Sequence, residues 1–196
     1  MQSNQPLLAV IGGPNGSGKT TLAHYLVAKK RVDANIINPD EIAWKEFGSY
    51  SFQMQAARVA LNRRRSALNL HKDFTFESTF SGNSEVGDIK EAKRLGYKVV
   101  LYYVALQSVI DNITRVKERQ TMLGHDVKND DIISRYKSSQ GNLIKHIGLF
   151  DKVYLFDNSS SSRSRVAIFS HGNLTWMNKK HEHHPFFEPL LLGTLY

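Results

Sequence analysis

The stretch Gly13-Pro-Asn-Gly-Ser-Gly18-Lys19-Thr20 follows an apolar run, Leu7 to Ile11, and leads into a segment with helical spacing, Thr20 to Lys30. It satisfies the spacing G-x4-G-K-[ST] of a phosphate-binding loop. Glycines let the backbone turn so that successive N–H groups point at one phosphate, and the helix N-terminus adds the positive end of its dipole. The sequence therefore predicts a nucleotide-binding loop between the first strand and the first helix.

The residues of this loop have distinct predicted roles. Lys19 is expected to reach the β- and γ-phosphates, and the Thr20 hydroxyl to join the coordination shell of Mg²⁺. The predicted cofactors are therefore ATP or GTP, together with Mg²⁺. The residues predicted to bind the nucleotide are Gly13, Pro14, Asn15, Gly16, Ser17, Gly18, Lys19, Thr20 and Thr21.

Beyond the loop, short apolar runs alternate with longer segments of helical spacing. Such alternation is typical of a parallel sheet joined by right-handed crossovers. We therefore expect an α/β fold with a parallel five-stranded sheet and helices on both faces. The predicted strands are residues 7–11, 35–37, 74–76, 98–106 and 152–156, and the predicted helices are residues 20–30, 51–70, 84–95, 108–121 and 130–147.

The C-terminal part is predicted to add a β-hairpin to this sheet. Its strands are expected at Arg165–Ser170 and Leu174–Met177, joined by the turn signal His171-Gly172-Asn173. The tail from Asn178 onward is weakly patterned, and no element is predicted there. A length of 196 residues suits one domain, with its core at about 7–158 and the hairpin and tail at 159–196.

Composition narrows the class of partner. The formal net charge of +8 and the isoelectric point near 9.6 favour an anionic partner: nucleic acid, a phosphorylated metabolite or a membrane surface. The absence of cysteine excludes disulfides, thiolate metal sites and a cysteine nucleophile. No signal peptide or membrane-spanning run is evident, so we expect a cytoplasmic protein without a membrane partner.

Two acidic residues follow predicted strands, where ligands of open parallel sheets bind. Asp40 follows the second strand and Glu77 ends the third. Either could accept the proton of an acceptor hydroxyl or hold Mg²⁺ through water. The structural alternatives are that Asp40 is the N-cap of a helix over residues 41–47, and that Glu77 pairs with a lysine. No apolar strand ends in Asp-Glu, which favours transfer to an acceptor over hydrolysis.

Arginines on two predicted helices are candidates for contacts with the transferred phosphate. Arg115 and Arg119 are four residues apart and so point the same way, and Arg135 lies on the following helix. Such a pair of helices could close over the nucleotide and neutralise the charge that develops on the phosphoryl group.

Two further clusters favour structural interpretations. Arg63-Arg64-Arg65 is expected to lie on a solvated helix face, with a nucleic-acid contact as the alternative. His181-Glu182-His183-His184 lies in a polar tail without a pair at helical spacing, which makes it a weak candidate for a metal site.

The chain also resembles a known group, the zeta-toxin-like P-loop kinases, and in particular its short chromosomal members. The resemblance runs from about Leu8 to Asn158. It depends on these segments in this order: GPNGSGKTTLA, NPDEIA, FESTFSG, AKRLGYKVVLYYVAL, RVKERQTMLGHDV, SRYKSSQGNL and LFDKVYLFDNS. It implies a P-loop kinase-type fold and a kinase that phosphorylates a hydroxyl of UDP-N-acetylglucosamine, with an antitoxin protein as a candidate partner.

The same resemblance implies roles for individual residues. Lys19 and Thr20 would be the phosphate-loop lysine and the hydroxyl on the metal side, and Asp40 would be the general base. Glu77, together with Thr79, would contact the acceptor. Arg119 and Arg135 would be the catalytic arginines of the lid.

This chain departs from the family pattern near the lid. Leu123-Gly124-His125-Asp126-Val127-Lys128 stands where Gly-Gly-His-Asp-Val-Pro is expected, and Ser134-Arg135 stands in place of a doubled arginine. The chain is also shorter than the toxins, so the acceptor could differ.

We therefore expect an ATP- and Mg²⁺-dependent phosphotransferase that acts on a hydroxyl of a small acceptor, with a UDP-N-acetyl sugar as one candidate. An antibiotic or nucleoside kinase is an alternative within this class. A nucleotide-dependent nucleic-acid-binding ATPase is the alternative from another class. The net charge supports it, but the sequence contains no basic stretch interleaved with aromatic residues, so nucleic acid is not the expected partner.

Overall fold

One mixed β-sheet of seven strands organises the computed structural model, which describes residues 5–123 and 128–193. The order of the strands across the sheet is β2-β3-β1-β4-β5-β6-β7. The strands are β1 (Leu7–Gly12), β2 (Ile36–Ile37), β3 (Phe74–Ser78), β4 (Lys98–Ala105), β5 (Lys152–Asp157), β6 (Ser164–Ser170) and β7 (Asn173–Met177).

Helices follow most of the parallel strands. They are α1 (Lys19–Ala28), α2 (Pro39–Phe47), α3 (Gln53–Asn69), α4 (Ser84–Arg94), α5 (Val109–Leu123), α6 (Asn129–His146) and α7 (Glu188–Leu192). Every predicted strand and helix is present among them, with ends that differ by a few residues. Gly96 ends α4 as a left-handed residue with φ of +80°, and the Tyr97 amide donates to the Ala92 carbonyl.

The prediction of a parallel five-stranded sheet was wrong for the sheet as a whole, which has seven strands and is mixed. Strands β1 to β5 are parallel, but β6 pairs antiparallel with β5, and β7 antiparallel with β6. The predicted hairpin is therefore part of the same sheet. Its turn is made by His171 and Gly172, which have φ of +49° and +79°, the conformation that reverses a chain between two strands. No helix of the described residues is long and apolar enough to span a membrane.

The two faces of the sheet are covered to different extents, because successive side chains of a strand point to opposite faces. On one face, Leu8, Val10 and Leu101 belong to a large buried cluster that also takes in residues of α4, α6 and α7. On the other face, Ala9 and Ile11 pack with α1 in a much smaller cluster.

The tail forms part of the main core, although its sequence predicted no element. Phe186, Phe187 and Leu191 are at most 1% exposed. The Phe186 ring lies 5.7 Å from the Tyr103 ring of β4 and 4.9 Å from the Tyr136 ring of α6. The apolar signal Phe-Phe was visible in the sequence, but it was too short to show a helical period.

The triple arginine is also placed differently from the prediction of a solvated face. Arg64 is 5% exposed, its Nε lies 2.6 Å from Asp88 of α4, and its guanidinium lies 5.1 Å from the Phe76 ring. Arg63 and Arg65 are exposed. Consecutive residues point in different directions on a helix, and Arg64 shares the inward face with Ala60 and Leu68 at a spacing of four.

The burial of the tail leads to a test of its contribution to stability. Phe187→Ala removes a fully buried ring, so the free energy of unfolding should fall by about 3–5 kcal/mol. The control Leu192→Ala lies in α7, the short helix that begins directly after Phe187, but is 42% exposed, and should change the free energy of unfolding by about 0.5 kcal/mol or less. Urea unfolding followed by circular dichroism measures both. Equal small effects would mean that the tail is not part of the cooperative core.

Candidate active site

The loop between β1 and α1 has the backbone that phosphate binding requires. Gly13, Gly16 and Gly18 have φ of +147°, +76° and +94°, which side-chain-bearing residues rarely adopt. A Cβ at Gly13 would lie 2.1 Å from the Val104 carbonyl oxygen, and one at Gly16 would lie 2.6 Å from the carbonyl oxygen of Asn112. Glycine is therefore required at these positions both for conformation and for space.

Two asparagines that the sequence analysis missed hold this loop from outside. The Asn112 amide donates to the Asn15 carbonyl at 2.5 Å, and the Asn158 amide donates to the Ser17 carbonyl at 3.0 Å. Arg115 in turn donates to the Asn158 carbonyl at 2.9 Å. Asn158 directly follows β5 at the carboxyl edge of the sheet, which was the available signal for its position.

The loop opens into a cleft of about 630 Å³ at the carboxyl ends of the parallel strands. The cleft brings together most of the predicted site residues. Gly13, Pro14 and Ser17 form the buried part of the loop instead. Predicted site residues that line the cleft are Asn15, Gly16, Gly18, Lys19, Thr20, Thr21, Asp40, Glu77, Thr79 and Arg119.

Lys19 lies at the electrostatic centre of this cleft. Its Nζ donates to the Pro14 carbonyl at 3.0 Å. Burial lowers the pKa of Lys19; Glu77 and Asp40 oppose this shift, and Arg119 and Arg135 add to it. Four of the five charged residues that were predicted around the phosphates, all except Arg115, therefore act on the same ammonium group.

Glu77 is the penultimate residue of β3, and its side chain faces the phosphate loop. Its Oε2 accepts a hydrogen bond from the Thr20 hydroxyl at 3.2 Å. Burial raises the pKa of Glu77 above its usual value, while Lys19 and the Thr20 hydrogen bond lower it in part. The carboxylate therefore lies on the metal side of the predicted phosphate site, next to the hydroxyl expected to bind Mg²⁺.

Asp40 is not the N-cap of its helix. The cap is Asn38, whose side-chain oxygen accepts from the Asp40 amide at 2.9 Å, and Pro39 takes the first helical position. The Asp40 side chain is exposed and lines the cleft beside the loop. The structural alternative for Asp40 is therefore excluded, because Asn38 already satisfies the end of α2.

The three candidate arginines have different locations. Arg115 and Arg119 line the cleft, whereas Arg135 lines an adjoining pocket of about 480 Å³. Asp40 and Thr79 line both spaces. The segment that joins the two helices, residues 124–127, lies outside the described residues.

Two histidines of the tail cluster, His181 and His184, make contacts with residues near the end of β5 and the start of β6. His184 is 2% exposed, and its Nε2 lies 3.4 Å from Asp157. His181 contacts the Ser164 hydroxyl at 2.8 Å. No group of three or more metal-ligating side chains in the described ranges is arranged to hold an ion.

The fold and the site together define a P-loop kinase-type protein. Residues 1–160 match the Zeta toxin family, and the chain belongs to that family. An uncharacterized protein of Haemophilus influenzae is 33% identical over 126 residues, which cover 63% of this chain and 88% of that protein.

Several solved structures share the fold. A complex of AvrRxo1-ORF1 and AvrRxo1-ORF2 with sulphate ions has a TM-score of 0.69 and 19% identity over 93% of this chain. The same complex with ATP has a TM-score of 0.68 and 19% sequence identity, and also covers 93% of this chain. In both, this chain spans 64% of the other. A structure of the PezAT chromosomal toxin-antitoxin system of Streptococcus pneumoniae has a TM-score of 0.61 and 19% sequence identity. The match covers 100% of this chain and 89% of that chain.

The raised pKa of Glu77 leads to a test by pH. Because the pKa of Glu77 is higher in the native state than in the unfolded chain, its ionisation costs stability at a pH well above the ordinary pKa of glutamate, and this cost disappears as the pH falls below that value. Glu77→Gln should therefore raise the melting temperature at pH 8, and the gain should shrink as the pH falls.

Glu91→Gln provides a control of opposite sign. The hydrogen bond that Arg94 donates to Glu91 lowers the pKa of Glu91 and stabilises the charged carboxylate. Replacing Glu91 by Gln should therefore lower the melting temperature at pH 8. A gain for Glu77→Gln that is independent of pH would contradict the assignment of a buried, ionisable Glu77.

Proposed function

We propose that this protein transfers the γ-phosphate of ATP to a hydroxyl group of a small acceptor, with Mg²⁺ bound at the phosphates. The observation that carries the proposal is the convergence of Asp40, Glu77 and Arg119 on the ammonium group of Lys19 in one cleft. Phosphoryl transfer needs these parts: a cation on the phosphates, a carboxylate on the metal side, a base and a cation for the developing charge.

In the proposed reaction, Asp40 takes the proton of the acceptor hydroxyl. A bond forms between that oxygen and the γ-phosphorus, the bond from the γ-phosphorus to the β–γ bridging oxygen breaks, and ADP leaves. Lys19 supplies a positive charge at the β- and γ-phosphates, and Arg119 stabilises the charge that develops on the transferred group. The position of Asp40 on the cleft wall, with its helix end already capped by Asn38, leaves its carboxylate available for this role.

The residues present suit Mg²⁺. This hard cation prefers oxygen ligands, and the Thr20 hydroxyl and the Glu77 carboxylate are oxygen donors 3.2 Å apart. Thr20 would hold the ion, with Glu77 beside it. When bound, Mg²⁺ would neutralise the phosphate oxygens. Glu77 is thus assigned to the metal side rather than to the acceptor.

The adjoining pocket supports a polar acceptor. It shares Asp40 and Thr79 with the nucleotide cleft, and Ser81 and Asn83 offer further hydrogen-bonding groups. Arg135 also lines this pocket. A polyhydroxyl compound, with a UDP-N-acetyl sugar as the candidate, suits this lining. The toxin-antitoxin system among the structural relatives supports an antitoxin protein as a partner of this chain.

A transfer assay with Asp40→Asn tests the proposal. The protein is incubated with γ-labelled ATP, Mg²⁺ and a bacterial metabolite extract, and labelled compounds are separated by chromatography. We expect one labelled organic acceptor with the unchanged protein, and about 10²- to 10⁴-fold slower labelling with Asp40→Asn. The melting temperature should hold, because the cap residue Asn38 is untouched.

The identity of the labelled compound separates a nucleotide-sugar kinase from an antibiotic or nucleoside kinase. Release of free phosphate alone would overturn phosphotransfer. Full labelling with Asp40→Asn would remove Asp40 as the base.

The different locations of Arg119 and Arg135 lead to a second test. Arg119→Ala should slow both ATP hydrolysis without acceptor and transfer to the acceptor, by on the order of 10³-fold. Arg135→Ala should slow transfer and leave acceptor-free hydrolysis nearly unchanged, because Arg135 lines the adjoining pocket and not the nucleotide cleft.

Lys117→Ala is the control for these variants, because Lys117 is exposed on the same helix as Arg119. Equal losses of hydrolysis and transfer in both arginine variants would contradict this division of roles.

A further inference from the structure

A row of large side chains crosses the sheet on the face that α1 only partly covers. The strand register places Tyr102 of β4 beside Tyr154 of β5, Tyr154 beside Ile168 of β6, and Ile168 beside Trp176 of β7. Paired residues of neighbouring strands point to the same face, so these four side chains form one continuous row. They make up what we call the aromatic platform. Phe156 of β5 lies on the same face but is only 8% exposed and packs with the α1 cluster.

The platform is open, in contrast to the opposite face of the same strands. Val153, Leu155 and Phe169 are 0% exposed on the opposite face. On the platform, Tyr102, Tyr154 and Ile168 are partly exposed, and Trp176 is 44% exposed. The helix that packs on this face, α1, contacts β1, β3 and β4. The chain after β5 continues as the hairpin and then packs its tail on the opposite face.

Cations lie over the rings of the platform. Lys152 and Arg165 lie 5.7 Å from the centre of the Tyr154 ring. Arg163 lies 5.8 Å from the Phe156 ring and 4.7 Å from the ring of Tyr25 on α1. The Tyr102 and Tyr154 rings are stacked, with centres 5.1 Å apart and planes within 8°.

These cations carry no compensating carboxylate within the described residues. None of the ion pairs between described residues includes Lys152, Arg163 or Arg165. Arg31 adds a further positive charge that acts on the Tyr102 hydroxyl. The platform therefore combines flat apolar groups with positive charge that is not neutralised inside the protein.

We propose that the aromatic platform binds single-stranded nucleic acid. Bases stack on aromatic rings and on guanidinium planes, and lysines and arginines contact the phosphates. The platform offers no projecting helix for a duplex groove. The Tyr154 ring is already stacked on Tyr102 and has cations over it, so unpaired bases would stack on the guanidinium planes and on the exposed Trp176 ring. An acidic peptide would satisfy the charge but would leave the rings without stacking partners.

The residues of this surface come from α1, β4, β5, β6 and β7, which explains why the sequence shows no basic-aromatic stretch. The proposal does not depend on phosphotransfer, because none of the platform residues lines the nucleotide cleft.

Fluorescence anisotropy with labelled twelve-nucleotide oligouridylate and oligothymidylate tests the proposal, with a duplex of equal length and a twelve-residue polyglutamate as comparisons. Because the phosphate loop also attracts anions, every titration contains saturating ADP and Mg²⁺ and is repeated in a Lys19→Ala background. We expect the single strands to bind more tightly than the duplex. The slope of log affinity against log salt should be about −0.7 for each phosphate contacted, or about −2 to −3 for three or four cations.

Two variants separate charge from stacking. Arg163→Gln with Arg165→Gln should reduce the salt slope by about 1.4, which is two phosphate contacts. Trp176→Leu keeps the charge and an apolar side chain and should weaken binding about fivefold or more through lost stacking. The control Arg58→Gln with Arg65→Gln removes two exposed arginines from α3 and should leave binding nearly unchanged. Circular dichroism verifies that each variant is folded, and ADP binding does so for the variants that retain Lys19.

The outcomes are distinct. Loss of single-strand binding in both platform variants, with the control unaffected, supports the proposal. Equal binding of duplex and single strands, no effect of Trp176→Leu, equal binding of polyglutamate, or no binding at about 50 mM salt would each overturn it.

Discussion

The backbone of the loop between β1 and α1 is the constraint on which the site depends. Its N–H groups can surround a phosphate only while Gly13, Gly16 and Gly18 keep positive φ angles. Neighbouring segments hold that conformation: Val104 of β4 touches the position of Gly13, and Asn112 and Asn158 bind carbonyls of the loop. The strand order places β3 and β4 on either side of β1, so the loop opens where side chains from both neighbours can reach it.

Charge in the cleft is balanced between burial and attraction. Burial lowers the pKa of Lys19 and raises that of Glu77, so each group is held further from its charged form than in water. Their mutual attraction opposes both shifts. In the proposed function, the phosphates and Mg²⁺ would bring opposite charges to these buried groups and so would offset the cost of burying them.

The path of the chain after β5 determines what the two faces of the sheet can do. The hairpin lengthens the sheet by two strands, and the tail then packs Phe186 and Phe187 on the face that already holds the large core. Because the tail packs on that face, the other face of the sheet stays open over β5, β6 and β7. Tyr154 and Trp176 therefore stay partly exposed, while Val153 and Leu155, which flank Tyr154 in β5 and point to the opposite face, are fully buried.

The sequence by itself determined the local features. The glycine spacing predicted the loop, apolar runs and helical spacing predicted the strands and helices, and Gly172 marked a real turn, because these signals depend on neighbours within a few residues. Tertiary structure decided the rest. It buried Arg64 against Asp88, made Asn38 rather than Asp40 the helix cap, and aimed Glu77 at Thr20. It also drew the tail into the core and aligned aromatic and basic residues from five elements on one face. Such contacts join residues that are far apart along the chain, and their geometry is set by strand order and packing, which no local pattern encodes.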